Sequence, residues 1–256
     1  MRSCRGVFMI DPMDDDITQT TPRRRSSAWG RTFAAIYDPF LWVGERAGLR
    51  AHRHELLGQA RGFTVDIGSG TGLNLLHYPD RLDDLVLAEP DPAMRARLKK
   101  RLYRSRCQAR IVDSSAEQLP FADQSVDTVV STFVLCTVSA PDVALGEIGR
   151  VLRPDGQLLF IEHVRSESPK LARWQDRLDK PWRRFAQGCR CNRATAELIV
   201  ASGFEFAERR MASWPAMPPF VRPLVIGSAQ LRSSDVVHKG SVAGQAQLAD
   251  AKGAKR

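Results

Sequence analysis

The stretch that most constrains this chain is VDIGSGTG, from Val65 to Gly72. Apolar residues around Asp66 lead straight into glycines at 68, 70 and 72. A buried strand that ends in such a turn and opens a helix brings bare backbone against a ligand, with helix amides pointing at it. A second carboxylate, Glu89, closes the next apolar run in LVLAEPD. Together they predict a nucleotide-type cofactor site at the end of the first strand of an α/β sheet.

The spacing selects the cofactor. A dinucleotide fingerprint G-x-G-x-x-G needs a glycine at position 73, which is Leu73, so a pyrophosphate cradle is disfavoured. No lysine lies between Gly62 and Asp91, which disfavours a triphosphate loop. Asp66, ahead of the glycines, would repel phosphate but suits the ammonium of an amino acid. Glu89 stands where an acid accepts both ribose hydroxyls. Ammonium, tight turn and ribose together describe S-adenosylmethionine.

At 256 residues with 43% apolar content the chain suits one sizeable α/β domain plus extensions. Residues 1–26 combine Asp14, Asp15 and Asp16 with Arg23, Arg24 and Arg25, and read as a disordered extension. Residues 232–256, rich in Ser, Gly, Ala, Gln and Lys, read as a disordered tail, which leaves 27–231 as the folded domain. The 5 cysteines, Cys4, Cys107, Cys136, Cys189 and Cys191, form no disulfide framework and fit a reducing compartment. Val7 to Ile10 is too short for a signal-peptide core and no window reaches a membrane span, so the expected location is cytoplasmic. The net charge of +9 fits arginine-rich helix faces in water, and nucleic acid is disfavoured as a partner. Oligomeric state is left open.

Strand and helix signals alternate regularly. Strands are expected over Phe63 to Ile67, Asp84 to Ala88, Arg110 to Asp113, Asp127 to Thr132 and Gln157 to Val164. Helices are expected over Pro92 to Arg104, over Pro141 to Leu152 and from an Asn192 cap through Leu198 to Gly203. Phe204 to Arg210 and Leu224 to Leu231, joined by a proline-rich segment, form an antiparallel hairpin at the sheet's end. Residues 27–60 form a helical cap, with an amphipathic helix broken near Asp38 and Pro39. The fold class is thus a Rossmann-like, doubly wound α/β sheet with an N-terminal helical cap.

From Thr64 to Gln230 the chain resembles a class I S-adenosylmethionine-dependent methyltransferase. The pieces that carry the likeness are VDIGSGTG, LAEPD, SSAEQLPFADQSVDTVVSTFVLCTV and RVLRPDGQLLFIEHV, with Gly188-Cys189 and VRPLVIGSA. The block from Ser131 to Val164 is similar to the small-molecule branch that contains the methyltransferase-like thiol methyltransferases. The resemblance implies a seven-stranded sheet of order 3-2-1-4-5-7-6 with strand 7 antiparallel. It also implies that Gly68, Gly70 and Gly72 form the cofactor turn, with Gly68 and Gly70 facing the methionine moiety. Glu89 would hold the ribose, Ala116 with Glu117 would border the adenine, and Tyr37, beside Asp38, would close on the methionine carboxylate. Where many relatives place an Asp that accepts from the adenine amino group, this chain has Ser115, a weaker acceptor. The hydrophobic anchor of the animal thiol methyltransferases is replaced by a polar N-terminus.

The implied reaction transfers a methyl group to a small, hydrophobic acceptor, a thiol being favoured over a phenol, quinone or lipid-like molecule. His163, at the end of the fifth strand, is the candidate base or positioning group. Cys189 and Cys191 give C-x-C without the further Cys/His pair that zinc requires, so no metal is expected. Cys136 reads as core, and Trp174, Trp182 and Trp214 as candidates for the acceptor pocket. Two other functions compete. One is a methyltransferase of RNA or protein recruited by basic residues such as Lys99, Lys100, Arg101, Arg104 and Arg106; the other is a non-catalytic S-adenosylmethionine-binding protein.

Overall fold

The computed structural model describes residues 26–105 and 107–232. The expectations for residues 1–25 and 233–256, and for Arg106 in the basic set, fall outside them. At the margin, Ser26 is part of the folded unit: its hydroxyl donates to Asp91 Oδ1 (3.0 Å) and accepts from the Ala93 amide.

Two helices, α1 (Ala28–Gly44) and α2 (Arg50–Leu57), precede a seven-stranded sheet. The strands are β1 (Phe63–Ile67), β2 (Asp84–Ala88), β3 (Arg110–Val112), β4 (Val126–Thr132), β5 (Leu152–His163), β6 (Phe204–Ser213) and β7 (Pro223–Leu231). Their spatial order is β3-β2-β1-β4-β5-β7-β6, with β7 antiparallel to both neighbours and the rest parallel. Helices α3 (Pro92–Arg104), α4 (Pro141–Val151), α5 (Pro169–Phe185) and α6 (Thr195–Ala201) complete the domain.

Strand alternation sorts side chains onto the two faces of the sheet. Val65, Ile67, Val129, Leu158 and Phe160 pack with Ala144, Leu145 and Ile148 of α4 and Ile199 of α6. On the other face Val130, Leu159 and Ile161 meet Leu41, Leu56 and Leu57 of the cap, while Leu85 and Leu87 receive Leu98 of α3. Asp91 starts α3 by accepting from the amides of Ala93 and Met94, with Pro92 in the first turn where its missing N–H costs nothing.

Several local expectations are corrected. The cap helix does not break at Asp38 and Pro39: α1 runs through Pro39, and the interruption comes at Gly48, whose φ of 149° only glycine adopts easily. Asn192 caps no helix; its amide donates to Asp176, and α6 starts at Thr195. The helix expected over Pro141 to Leu152 ends at Val151, and Leu152 opens β5, where Pro154 to Gly156 form a bulge, since Leu152 pairs with Val126 and Gln157 with Thr128. Asp113 lies beyond β3 and pairs with Arg95. Helix α5 has no counterpart among the expected elements.

A buried carboxylate fixes the segment that follows β4. Glu162, fully buried, accepts from Ser131 Oγ (2.7 Å) and from the amides of Val134, Leu135 and Cys136 (each 3.0 Å). Those bonds hold Phe133 in a left-handed conformation (φ 60°), a state that costs about 1–3 kcal/mol in a non-glycine residue. Glu162→Ala would leave these donors unpaired in the interior. We expect a loss of about 3 kcal/mol, seen as a fall in Tm of roughly 6–12 °C by thermal melting. A shift under about 2 °C would contradict this role.

Candidate active site

A cavity of about 500 Å³ opens where the carboxyl ends of β1, β2, β4 and β5 face the cap. Gly68, Gly70, Glu89, Ser115, Ala116 and Glu117 line it. Phe33, Phe40, Trp182, Phe185 and Trp214 line it too, and Tyr37 and His163 also border the cavity. Polar backbone and aromatic surface therefore share one chamber of a size suited to small ligands.

The glycine turn runs with positive φ at Gly68 (55°), Gly70 (57°) and Gly72 (84°). What a side chain would meet differs among them. A Cβ on Gly68 would lie 2.6 Å from Val134, and one on Gly72 would lie 2.6 Å from Leu98. At Gly70 the nearest atom is the Gly68 carbonyl oxygen at 3.8 Å, so the space before Gly70 is cavity into which a ligand fits. Gly72 is corrected from a cofactor contact to a packing position: it lets α3 approach the turn and does not line the cavity.

Glu89 joins the turn to α3. Its Oε2 accepts from the Gly70 amide (2.8 Å) and its Oε1 from the Asp91 amide (2.7 Å). Burial pushes its carboxyl up to about 7, against the pull of those two amides. A carboxylate has lone pairs left after two amide bonds, as vicinal ribose hydroxyls require.

Asp66 is corrected as well. Alternation turns it to the face opposite Val65 and Ile67, where it is buried outside the cavity and accepts from Asn74 Nδ2 (3.1 and 3.2 Å). Burial raises its carboxyl to about 6. Asn74 also accepts from Arg53 (2.6 Å), and Arg53 pairs with Glu45, so this chain of contacts braces the turn against the cap. Asp38 adds a second brace, accepting from Thr71 Oγ1 (2.6 Å) and from Arg101. Sequence reasoning missed Arg53 and Asn74; Asn74 stands out among Leu73, Leu75 and Leu76, whereas Arg53 sits in a helix rich in charged residues and gives no such signal.

At the acceptor end, Phe133 stacks on both His163 (4.7 Å between centroids) and Trp214 (4.8 Å). Phe40 and Phe185 pack with Trp182, and the Trp29 indole donates to the Phe185 carbonyl, closing α1 onto α5. Trp174 is 60% exposed and lies outside the cavity. His163 is buried and its Nδ1 has no hydrogen-bond partner. Burial lowers its pKa to about 4, below the near-neutral value expected of a base at that position. The same fold brings His163 beside Cys189 and Cys191, which the sequence presented as an isolated C-x-C pair.

The electrostatics of Glu89 predict a pH dependence. A carboxyl raised to about 7 is protonated below that pH and ionised above it, and only the ionised form gives charge-assisted bonds to ribose hydroxyls. S-adenosylmethionine affinity should strengthen from pH 6 to pH 8, and Glu89→Gln should bind about 10- to 100-fold more weakly at pH 8 with a flat profile. Calorimetry across that range checks both; a Gln variant that keeps the wild-type slope would refute the assignment.

The methyltransferase domain family matches residues 65–160, from the glycine turn into β5. Human thiol S-methyltransferase TMT1B is 32% identical over 197 residues, covering 71% of this chain and 79% of that protein. Human thiol S-methyltransferase TMT1A is 31% identical over 202 residues, covering 77% and 82%. Among solved structures, a SAM-dependent methyltransferase of Thermotoga maritima, described as a possible histamine N-methyltransferase, superposes with a TM-score of 0.59 at 22% identity. It covers 80% of this chain and 98% of that one. The chain belongs to the class I S-adenosylmethionine-dependent methyltransferases.

Proposed function

We propose that this methyltransferase acts on the sulfur of a small hydrophobic thiol. The observation that carries the reading is the aromatic chamber beside the glycine turn, in which the ionisable groups Tyr37 and His163 are both held neutral. Burial pushes the Tyr37 phenol up and the His163 imidazole down. Such a wall gives little help to an acceptor that must lose a proton of high pKa. A thiol, with a pKa of about 8.5, ionises without a strong base, whereas a phenol at about 10 gains from one. The names of the curated relatives point the same way.

S-adenosylmethionine supplies a methyl group already activated by its sulfonium, so the protein's contribution is placement and exclusion of water. Glu89, with the amides it holds, would fix the ribose; Gly70 leaves room for the methionine end; Ser115 and Ala116 would border the adenine. Phe133, fixed by the Glu162 bonds, and Trp214 would set the acceptor's approach. Phe40, Trp182 and Phe185 would cover its apolar part.

Incubation with labelled S-adenosylmethionine and a panel of thiols, phenols, quinones and RNA tests the reading. Hydrophobic thiols should be methylated; clear transfer to a phenol, quinone or RNA with none to any thiol would overturn it. Phe40→Ala removes acceptor-side aromatic surface worth roughly 1.5 kcal/mol. It should raise the thiol KM about tenfold while cofactor affinity stays within about twofold. Equal losses in both would show that Phe40 serves the fold rather than the acceptor.

A further inference from the structure

Beside the aromatic wall lie three side chains able to ligate a metal, two of them, His163 and Cys189, lining the cavity and Cys191 behind them. His163 comes from the end of β5, and Cys189 and Cys191 from the loop between α5 and α6. One donor atom from each lies within 4.8 Å of the others, and Cys189 Sγ is 3.9 Å from Cys191 Sγ. Tetrahedral zinc with Zn–S bonds of about 2.3 Å sets its sulfur ligands about 3.8 Å apart. All three residues are buried, at 3%, 6% and 4% exposure, and the Nδ1 of His163 is an orphaned polar atom. Burying a ring nitrogen without a partner is costly, and a metal ion would satisfy it.

The surroundings are those of a held site. The Arg190 amide donates to the Cys136 carbonyl (2.8 Å), and Gln175 Nε2 donates to the Cys191 carbonyl (2.8 Å), pinning the cysteine loop from both sides. Phe133 stacks on the imidazole with 4.7 Å between centroids and fixes the plane of the ring. Charge balances too, because a divalent cation with two thiolates and a neutral imidazole is neutral and can sit among Phe133 and Trp214 without an uncompensated charge. Cys136, whose sulfur is 3.9 Å from that of Cys189, lies outside the set of three donor atoms within 4.8 Å of one another and is a neighbour of the ligand set rather than a member.

We propose that His163, Cys189 and Cys191 bind one zinc ion, whose fourth coordination position faces the cavity and takes the sulfur of the acceptor. His163 and Cys189 both line the cavity, which places the open side of the site there, and three protein ligands with one open position is the pattern of a reactive rather than a structural zinc. A thiol entering that position gives up its proton to solvent and binds as thiolate, so the metal supplies what the protein's neutral side chains do not. The inference rests on the thiol reading for the identity of the fourth ligand, though not for the three protein ligands.

The test uses the full chain, reduced and freed of metal, titrated with Zn²⁺ and with Co²⁺ as a spectroscopic probe. One ion per chain is expected, with thiolate-to-cobalt charge transfer and tetrahedral d–d bands. Affinity should fall about 100-fold or more in Cys191→Ser and His163→Ala. Cys136→Ala should keep both stoichiometry and spectrum. Binding of S-adenosylhomocysteine by each variant confirms that it is folded. Addition of an alkanethiol, without cofactor, should shift the cobalt bands. Absence of a tetrahedral cobalt spectrum in the wild type, its persistence in folded Cys191→Ser, or its loss in Cys136→Ala would overturn the site as proposed. A cobalt site lost in the ligand variants but unresponsive to every thiol would support the three-ligand site and overturn the thiol reading instead.

Discussion

Glu89 and the backbone amides of Gly70 and Asp91 form the contact on which the site depends. One buried carboxylate gathers an amide from the glycine turn and an amide from the cap of α3, so two loops from two strands become one surface. The cost of burying that carboxyl appears as its raised pKa, and the two amides offset only part of it. Hydroxyl donors from a bound ribose would complete the compensation. A ligand held here would therefore also order the two loops that the carboxylate joins.

The acceptor half is built differently. It draws on α1, on α5 and on the connection from Trp214 to Val221, all outside the block from 65 to 160 that matches the methyltransferase family. Its order comes from the Glu162 bonds that fix Phe133, and from aromatic contacts between α1 and α5 such as Phe33 with Phe185. The glycine turn and Glu89 thus lie within the matched block, while these helices and this connection lie outside it.

Much of the fold was legible because buried parallel strands are short apolar runs and helix caps have chemical signatures. β1, β2 and α3 begin and end as the pattern implies, and Pro92 after Asp91 marks a helix start in any context. Errors arose where a tertiary contact outweighed the local signal. Pro39 reads as a breaker, yet packing of Leu41 and Phe40 keeps α1 helical past it, and the flexible Gly48 takes the bend. Asp66 reads as a ligand because it precedes the glycines, but a period of two turns it toward Asn74, away from the cavity. The basicity of His163 was invisible in sequence because it depends on burial beneath Phe133 and Trp214. The meeting of His163 with Cys189 and Cys191 was equally hidden, since it joins the end of one strand to a loop beyond the next helix.

The central claim is that the open space before Gly70, framed by Glu89, is where S-adenosylmethionine binds. Calorimetric titration of S-adenosylhomocysteine into the wild type and into Gly70→Val measures it most directly, with circular dichroism to confirm that both proteins are folded. A valine there needs a left-handed backbone and projects into the cavity. The account predicts saturable binding by the wild type and none by the folded variant. Equal affinity in the two proteins, or no binding by the wild type, would contradict it.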